Sequence, residues 1–213
     1  MKNSLSQHIE AIFLDFDGVV VESLNIKSQA FYEIYMVYGE EIANKAKKYH
    51  IEHQGVSRYI KFQEIHQIYL KRKLQIEQLE ELSKQFSVIV LTKIIQCPFV
   101  DGVLKFLEQK NANNIPIFLL SATPHEELID IVKARKLQQY FKDIYGAPST
   151  KVDSGKKIIE QFKLNPQKIV FVGDSRSDFM ASNDLGTNFI LRQTENNKFL
   201  VAKWSIKNFF EML

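Results

Sequence analysis

The sequence predicts an α/β protein built on a doubly wound parallel sheet, with a helical domain inserted after the first strand. Three observations lead there. Short apolar runs end abruptly at polar or glycine residues, as buried parallel strands do. Stretches of helical period alternate with those runs. One long region of purely helical texture interrupts the alternation close to the N-terminus.

"AIFLD", "IPIFLL", "KIVFVGD" and "NFILR" are the short apolar runs. Between them, "VDGVLKFLEQK" places Val100, Val103, Leu104 and Leu107 on one helical face. "PHEELIDIVKARK" begins at Pro124, with acids early and bases late, as the helix dipole favours. "SGKKIIEQFKLNP" offers Ser154 as an N-cap and stops before Pro166. Residues 21–94 read differently. Phe31, Ile34 and Tyr38 recur at helical spacing up to Gly39, and so do Phe62, Ile65 and Tyr69, then Ile76, Leu79 and Phe86. "SVIVL" suits either a strand or a helix. The expected division is therefore a core of residues 1–20 and 95–213 with a helical insertion at 21–94.

The bulk numbers narrow the function. The 213 residues are 45% hydrophobic and 25% charged, and 28 basic against 25 acidic residues leave a net charge of +3. That excess is mild and forms no basic run, so nucleic acid is not an expected partner. A single cysteine, Cys97, excludes an internal disulfide and a thiolate metal cluster. The first residues do not read as a signal peptide, and no apolar run approaches the ~20 residues of a membrane span. A cytoplasmic protein is the expectation.

In such sheets the ligand lies beyond the carboxyl ends of the strands, so the residues following each strand are compared in register. Asp15 and Asp17 follow the first strand, Ser121 and Thr123 the second, and Asp174 the third, with Asp178 four residues on. Lys151 or Lys156 precedes the third of these strands. One Asp-x-Asp-Gly is an ordinary turn; acid, hydroxyl and acid at three strand ends are not. The set suits phosphoryl transfer, in which a site must neutralise phosphate charge and position an attacker. One carboxylate can attack phosphorus, a second can move the proton, and Mg²⁺ prefers such oxygen ligands.

Taken together, "DFDGVV", "LLSAT", the lysine of "GAPSTKVDSGKK" and "GDSRSD" resemble the motifs of haloacid dehalogenase superfamily phosphohydrolases, in the branch with a helical cap after the first strand. "PFVDGVLKFL" resembles the stretch after that cap. The resemblance covers nearly the whole chain and implies a Rossmann-like core with Mg²⁺ as cofactor. It assigns Asp15 as nucleophile and Asp17 as general acid/base. Asp15, the backbone carbonyl of Asp17, and Asp174 would hold the metal, with Asp178 as ligand or orienter. Ser121, Ala122 and Thr123 would bind the phosphate of a small phosphorylated substrate. Lys151 fits the family's lysine better than Lys156, which would sit inside the following helix.

Asp17 argues against a dehalogenase, because halide leaves without a proton whereas an alcohol needs one. A sugar-phosphate mutase is the closer alternative. "GVSR" resembles the specificity loop of β-phosphoglucomutases, in which the arginine contacts the phosphate not being transferred, a role open to Arg58. Those mutases carry a histidine where Lys27 stands here, and its absence favours hydrolysis. Arg58 and Lys61 read otherwise as surface charges at a helix start. His50 and His53 lack a third metal ligand and read as polar surface or loop residues, and His125 has no assigned role.

Overall fold

The computed structural model describes residues 9–213, so the first eight residues of the expected core, including the N-terminal stretch tested for a leader, lie outside the described residues. Strand β1 (Ala11–Leu14) is wholly buried and continues the apolar run up to Asp15. Four helices follow: α1 (Leu24–Tyr35), α2 (Glu40–Glu52), α3 (Arg58–Tyr69) and α4 (Ile76–Gln96). "SVIVL" lies within α4 and is helical. The chain then alternates: α5 (Val103–Ala112), β2 (Ile117–Pro124), α6 (His125–Ala134), β3 (Asp143–Ala147), α7 (Lys151–Phe162), β4 (Ile169–Gly173), α8 (Arg176–Leu185), β5 (Asn188–Arg192) and β6 (Trp204–Ile206).

All six strands are parallel, in the order β3-β2-β1-β4-β5-β6. β1 pairs with both β2 and β4, so the order reverses there and the crevice opens beyond its carboxyl end. One face of the sheet buries Phe13, Phe118 and Phe171 against α7 and α8. The other buries Ile12, Leu14 and Val172 in a cluster that also takes in Phe31, Phe62 and Phe86 of the helical segment. That segment is therefore packed by the same physics as the core, with Phe31, Phe62 and Phe86 at 5.1–6.1 Å from one another.

Three local expectations differ in detail. The helix expected at Ser154 begins at Lys151, because Thr150 is the cap and accepts from the Asp153 amide; Ser154 is buried inside the helix. In α5, Phe106 rather than Leu104 completes the buried face. The edge strands β3 and β6 lack the apolar runs that mark the inner strands. No helix among the described residues is long and apolar enough to cross a membrane.

The chain leaves and re-enters the sheet through two adjacent segments. Val21 bridges both Asp17 and Phe99, the Glu22 amide donates to the Pro98 carbonyl, and Val100 donates to Val20. Glu22 is also ion-paired with Arg192 at the end of β5.

Candidate active site

The ends of β1 and β4 carry the acids. β1 delivers Asp15, whose amide still donates to Val172 in the sheet ladder. Asp174 follows β4, and Asp178 lies on the first turn of α8, where its Oδ2 accepts from the Ser175 amide and hydroxyl. That cap fixes the Asp178 side chain before any ligand is considered. Oxygens of Asp15, Asp174 and Asp178 all lie within 4.8 Å of one another, and all three residues are buried.

Lys151 joins this cluster. Its Nζ lies 2.8 Å from Asp15 and donates to Asp178 as well. Lys156 is exposed on the same helix. One cation among three carboxylates leaves an excess of negative charge. Burial, followed by repulsion from Asp178 and Asp17, outweighs the pull of Lys151 and lifts the Asp15 carboxyl to about 7. Burial first and the charges of Asp15 and Asp178 next raise Asp174 well above the usual carboxylate range. Asp174 Oδ2 is buried without a hydrogen-bond partner. Gly18 lets the chain pass this oxygen: its φ is +73°, and a Cβ there would lie 2.4 Å from Oδ2. Carboxylates massed around an oxygen with no partner form a donor set suited to a hard divalent cation.

Asp17 points into different company. Ser23 donates to its Oδ1 at 2.5 Å; Lys27 at 2.5 Å and Thr123 at 3.1 Å donate to its Oδ2. Burial pushes this carboxyl up, but Lys27 and the hydroxyl donors outweigh it and hold Asp17 below its ordinary value. Two acids one residue apart thus have opposite environments, the arrangement by which one site runs two different roles.

Ser121 and Thr123 lie within β2, which runs on to Pro124 through an irregular register after Leu120, and do not follow it as the sequence suggested. Ser121 is buried and its Oγ accepts from the Thr123 amide at 3.1 Å. It lines a groove of about 320 Å³ beside a smaller cavity at the strand ends, with Ala122 on both. That cavity, about 50 Å³, lies between the strand ends and the helical segment. Asp15, Asp17, Thr123 and Asp174 form its floor; Lys27, His50, Arg58 and Lys61 form its roof. The loop before α3 closes over it: Gly55, at φ +76°, lies so near α8 that a Cβ would meet the hydroxyls of Ser175 and Ser177.

Arg58 lines the cavity, but its guanidinium is engaged elsewhere. It is 5% exposed, forms a two-pronged pair with Glu127 of α6 at 2.6 and 3.0 Å, and donates to Ser87 of α4. Lys61 is 3% exposed rather than on the surface. His50 is buried against Phe31, whereas His53 stacks on Tyr49 and does not join it. His125 starts α6 outside the cavity lining. The residues that sequence reasoning undervalued are Lys27, His50 and Lys61. The available signal was a cation within an apolar stripe: Leu24, Lys27 and Phe31 share one helical face, and Lys61 adjoins the buried Phe62.

A family model described as haloacid dehalogenase-like hydrolase matches residues 12–192. A phosphorylated carbohydrates phosphatase of Thermotoga maritima is 23% identical over 189 residues, covering 84% of this chain and 82% of its own. Among solved structures, β-phosphoglucomutase from Clostridium difficile superposes with a TM-score of 0.80 at 19% identity, covering 96% of this chain and 93% of that one. CbbY from Rhodobacter sphaeroides, in complex with xylulose-(1,5)bisphosphate, gives 0.76 at 14% identity, covering 95% and 96%.

Proposed function

This chain belongs to the haloacid dehalogenase-like hydrolases, and on that premise we propose that it is a Mg²⁺-dependent phosphatase of small phosphate monoesters working through an aspartyl phosphate on Asp15. The observation that carries this is the meeting of Asp15, Lys151 and the unpartnered oxygen of Asp174 at the switch point of the sheet. The proposed substrate class is a phosphorylated sugar or organic acid, and the phosphorylated carbohydrates phosphatase supports the sugar.

In the proposed sequence an Asp15 carboxylate oxygen forms a bond to phosphorus while the ester P–O bond breaks. The departing alkoxide takes a proton from Asp17. Water then attacks the phosphorus of the acyl phosphate, Asp17 receives the water's proton, and inorganic phosphate leaves Asp15 free. Lys151 holds Asp15 in place and offsets charge on the phosphoryl oxygens. Ser121 and the backbone N–H of Ala122 would bind those oxygens, joined by Thr123 once its N–H turns from Ser121 Oγ to the phosphate. Asp15, Asp174 and the Asp17 carbonyl would hold Mg²⁺, with Asp178 fixed by Ser175 and Lys151 as the orienter. When bound, the cation supplies the positive charge that three buried carboxylates lack.

Lys27 stands where β-phosphoglucomutases carry a histidine, and the absence of that histidine favours hydrolysis over the mutase alternative. The Lys27 ammonium pairs with Asp17 and favours its carboxylate form, which takes the proton in the second step, whereas the first step needs the protonated form.

Residues 21–94 act as a cap on a core of 1–20 and 95–213, hinged near 20–22 and 94–98. The cavity of about 50 Å³ has room for a few waters but not for a sugar phosphate, so the cap would lift to admit substrate. Phosphate release with and without Mg²⁺, across sugar phosphates, phosphoglycolate and nucleotides, tests the reading. Release dependent on both Mg²⁺ and Asp15 is expected. Interconversion of glucose phosphates without release would instead establish the mutase.

A further inference from the structure

Arg58 and Lys61 stand one helical turn apart on α3, both buried and both lining the cavity. Their partners differ sharply. Arg58 spends its planar fork on the carboxylate of Glu127 and stacks over Phe86 at 4.5 Å. Lys61 Nζ has His50 Nδ1 at 3.2 Å as its hydrogen-bond partner, and among the described residues no carboxylate is within ion-pairing distance. A buried ammonium with a neutral imidazole for company is costly to fold around. Burial first, then the neighbouring charge of Lys27, brings Lys61 down to about 7; burial first, then the charge of Lys61, takes His50 well below its usual value. Such a group is retained where a ligand completes it.

We propose that Lys61, positioned by His50, receives a second negative group on the phosphate-ester substrate, while Arg58 fastens the helical segment to α6 through Glu127. The inference rests on the phosphatase reading and sharpens it. The substrate class becomes phosphate monoesters that bear a further anion, either a carboxylate or a second phosphate. Phosphorus reaches Asp15 on the cavity floor, and the second anion reaches Lys61 on the roof. Lys27 cannot substitute, because Asp17 and Thr123 already hold its ammonium.

The test is calorimetric binding to the full-length Asp15→Asn protein with Mg²⁺, which needs no turnover. Phosphoglycolate is compared with ethyl phosphate, and ethylene glycol bisphosphate with the same reference. At least tenfold tighter binding of one doubly anionic ligand is expected, and adding Lys61→Met should remove most of that preference; which ligand wins identifies carboxylate or phosphate. The Lys61→Met single variant, without ligand, should melt about 2–4 °C higher than the wild type, since it sheds an uncompensated charge. A preference that survives Lys61→Met, no preference at all, or a lower melting temperature overturns the proposal. Phosphate release from p-nitrophenyl phosphate by the wild type reads the phosphatase assignment separately, so either can fail alone.

Discussion

Two buried lysines, one at the strand ends and one in the helical segment, show how differently the two halves of this molecule treat charge. Lys151 sits between Asp15 and Asp178 and is driven further toward its protonated form by both, against the opposing effect of burial. Lys61 is equally buried and has a neutral histidine instead. At the strand ends the protein supplies its own countercharges and still leaves an acidic excess. In the segment it leaves a cationic group waiting. Facing each other across one cavity, the two imbalances are complementary to a metal ion below and an anionic ligand between.

The largest expected effect is at the acid that all else supports. Asp15→Asn should keep the fold and lower phosphate release by ~10³-fold or more, read as steady-state turnover. Substantial retained activity would remove the covalent route. Lys151→Met comes next. It strands Asp15 and Asp178 as buried carboxylates, so a loss of about 3 kcal/mol in denaturant unfolding is expected, with activity falling in parallel. A neutral effect would erase the contrast between the lysines.

Glu127→Gln breaks the pair that ties Arg58 to α6. It should cost on the order of 2 kcal/mol, seen as a melting temperature about 4–8 °C lower. The substitution sharpens the comparison, because Arg58 would then resemble Lys61, buried without a carboxylate.

The smallest effect concerns pH. Lys61 falls from an unfolded value of about 10.4 to about 7 in the folded chain. Between those values the unfolded chain binds more protons, so this group's contribution to stability is present above about 10.4 and is lost as pH falls toward 7. Lys27, His50 and Arg58 face Lys61, along with the acids of the cavity floor, but they remain in a Lys61→Met variant. The melting-temperature advantage of Lys61→Met should therefore be greatest near pH 7 and vanish toward pH 10. A constant difference would contradict it.

The same contrast explains what was legible in the sequence. Strand ends could be compared because β1, β2 and β4 are buried on both faces and read as apolar runs, so Asp15, Ser121 and Asp174 could be picked out together, within one residue of a common level. Edge strands β3 and β6 escaped, because an edge is half covered and Asp143, Tyr145 and Trp204 do not read as a buried run. In the helical segment, three- and four-residue spacing identified the aromatic core around Phe31, Phe62 and Phe86. It could not show that Arg58 and Lys61 turn inward, since a helix places charge on its solvent face by default. Glu127, the partner that buries Arg58, lies 69 residues away on another helix, and no local pattern links them.

The measurement that reaches the central claim most directly is the location of phosphate on the protein during turnover. Wild-type enzyme with Mg²⁺ and a substrate that it hydrolyses would be acid-quenched within the first turnovers, digested and mapped by mass spectrometry. Phosphate is expected on the peptide carrying Asp15, absent without Mg²⁺ and absent in Asp15→Asn. Steady release of inorganic phosphate with that peptide unmodified at every time point, or release undiminished in Asp15→Asn, would contradict that claim.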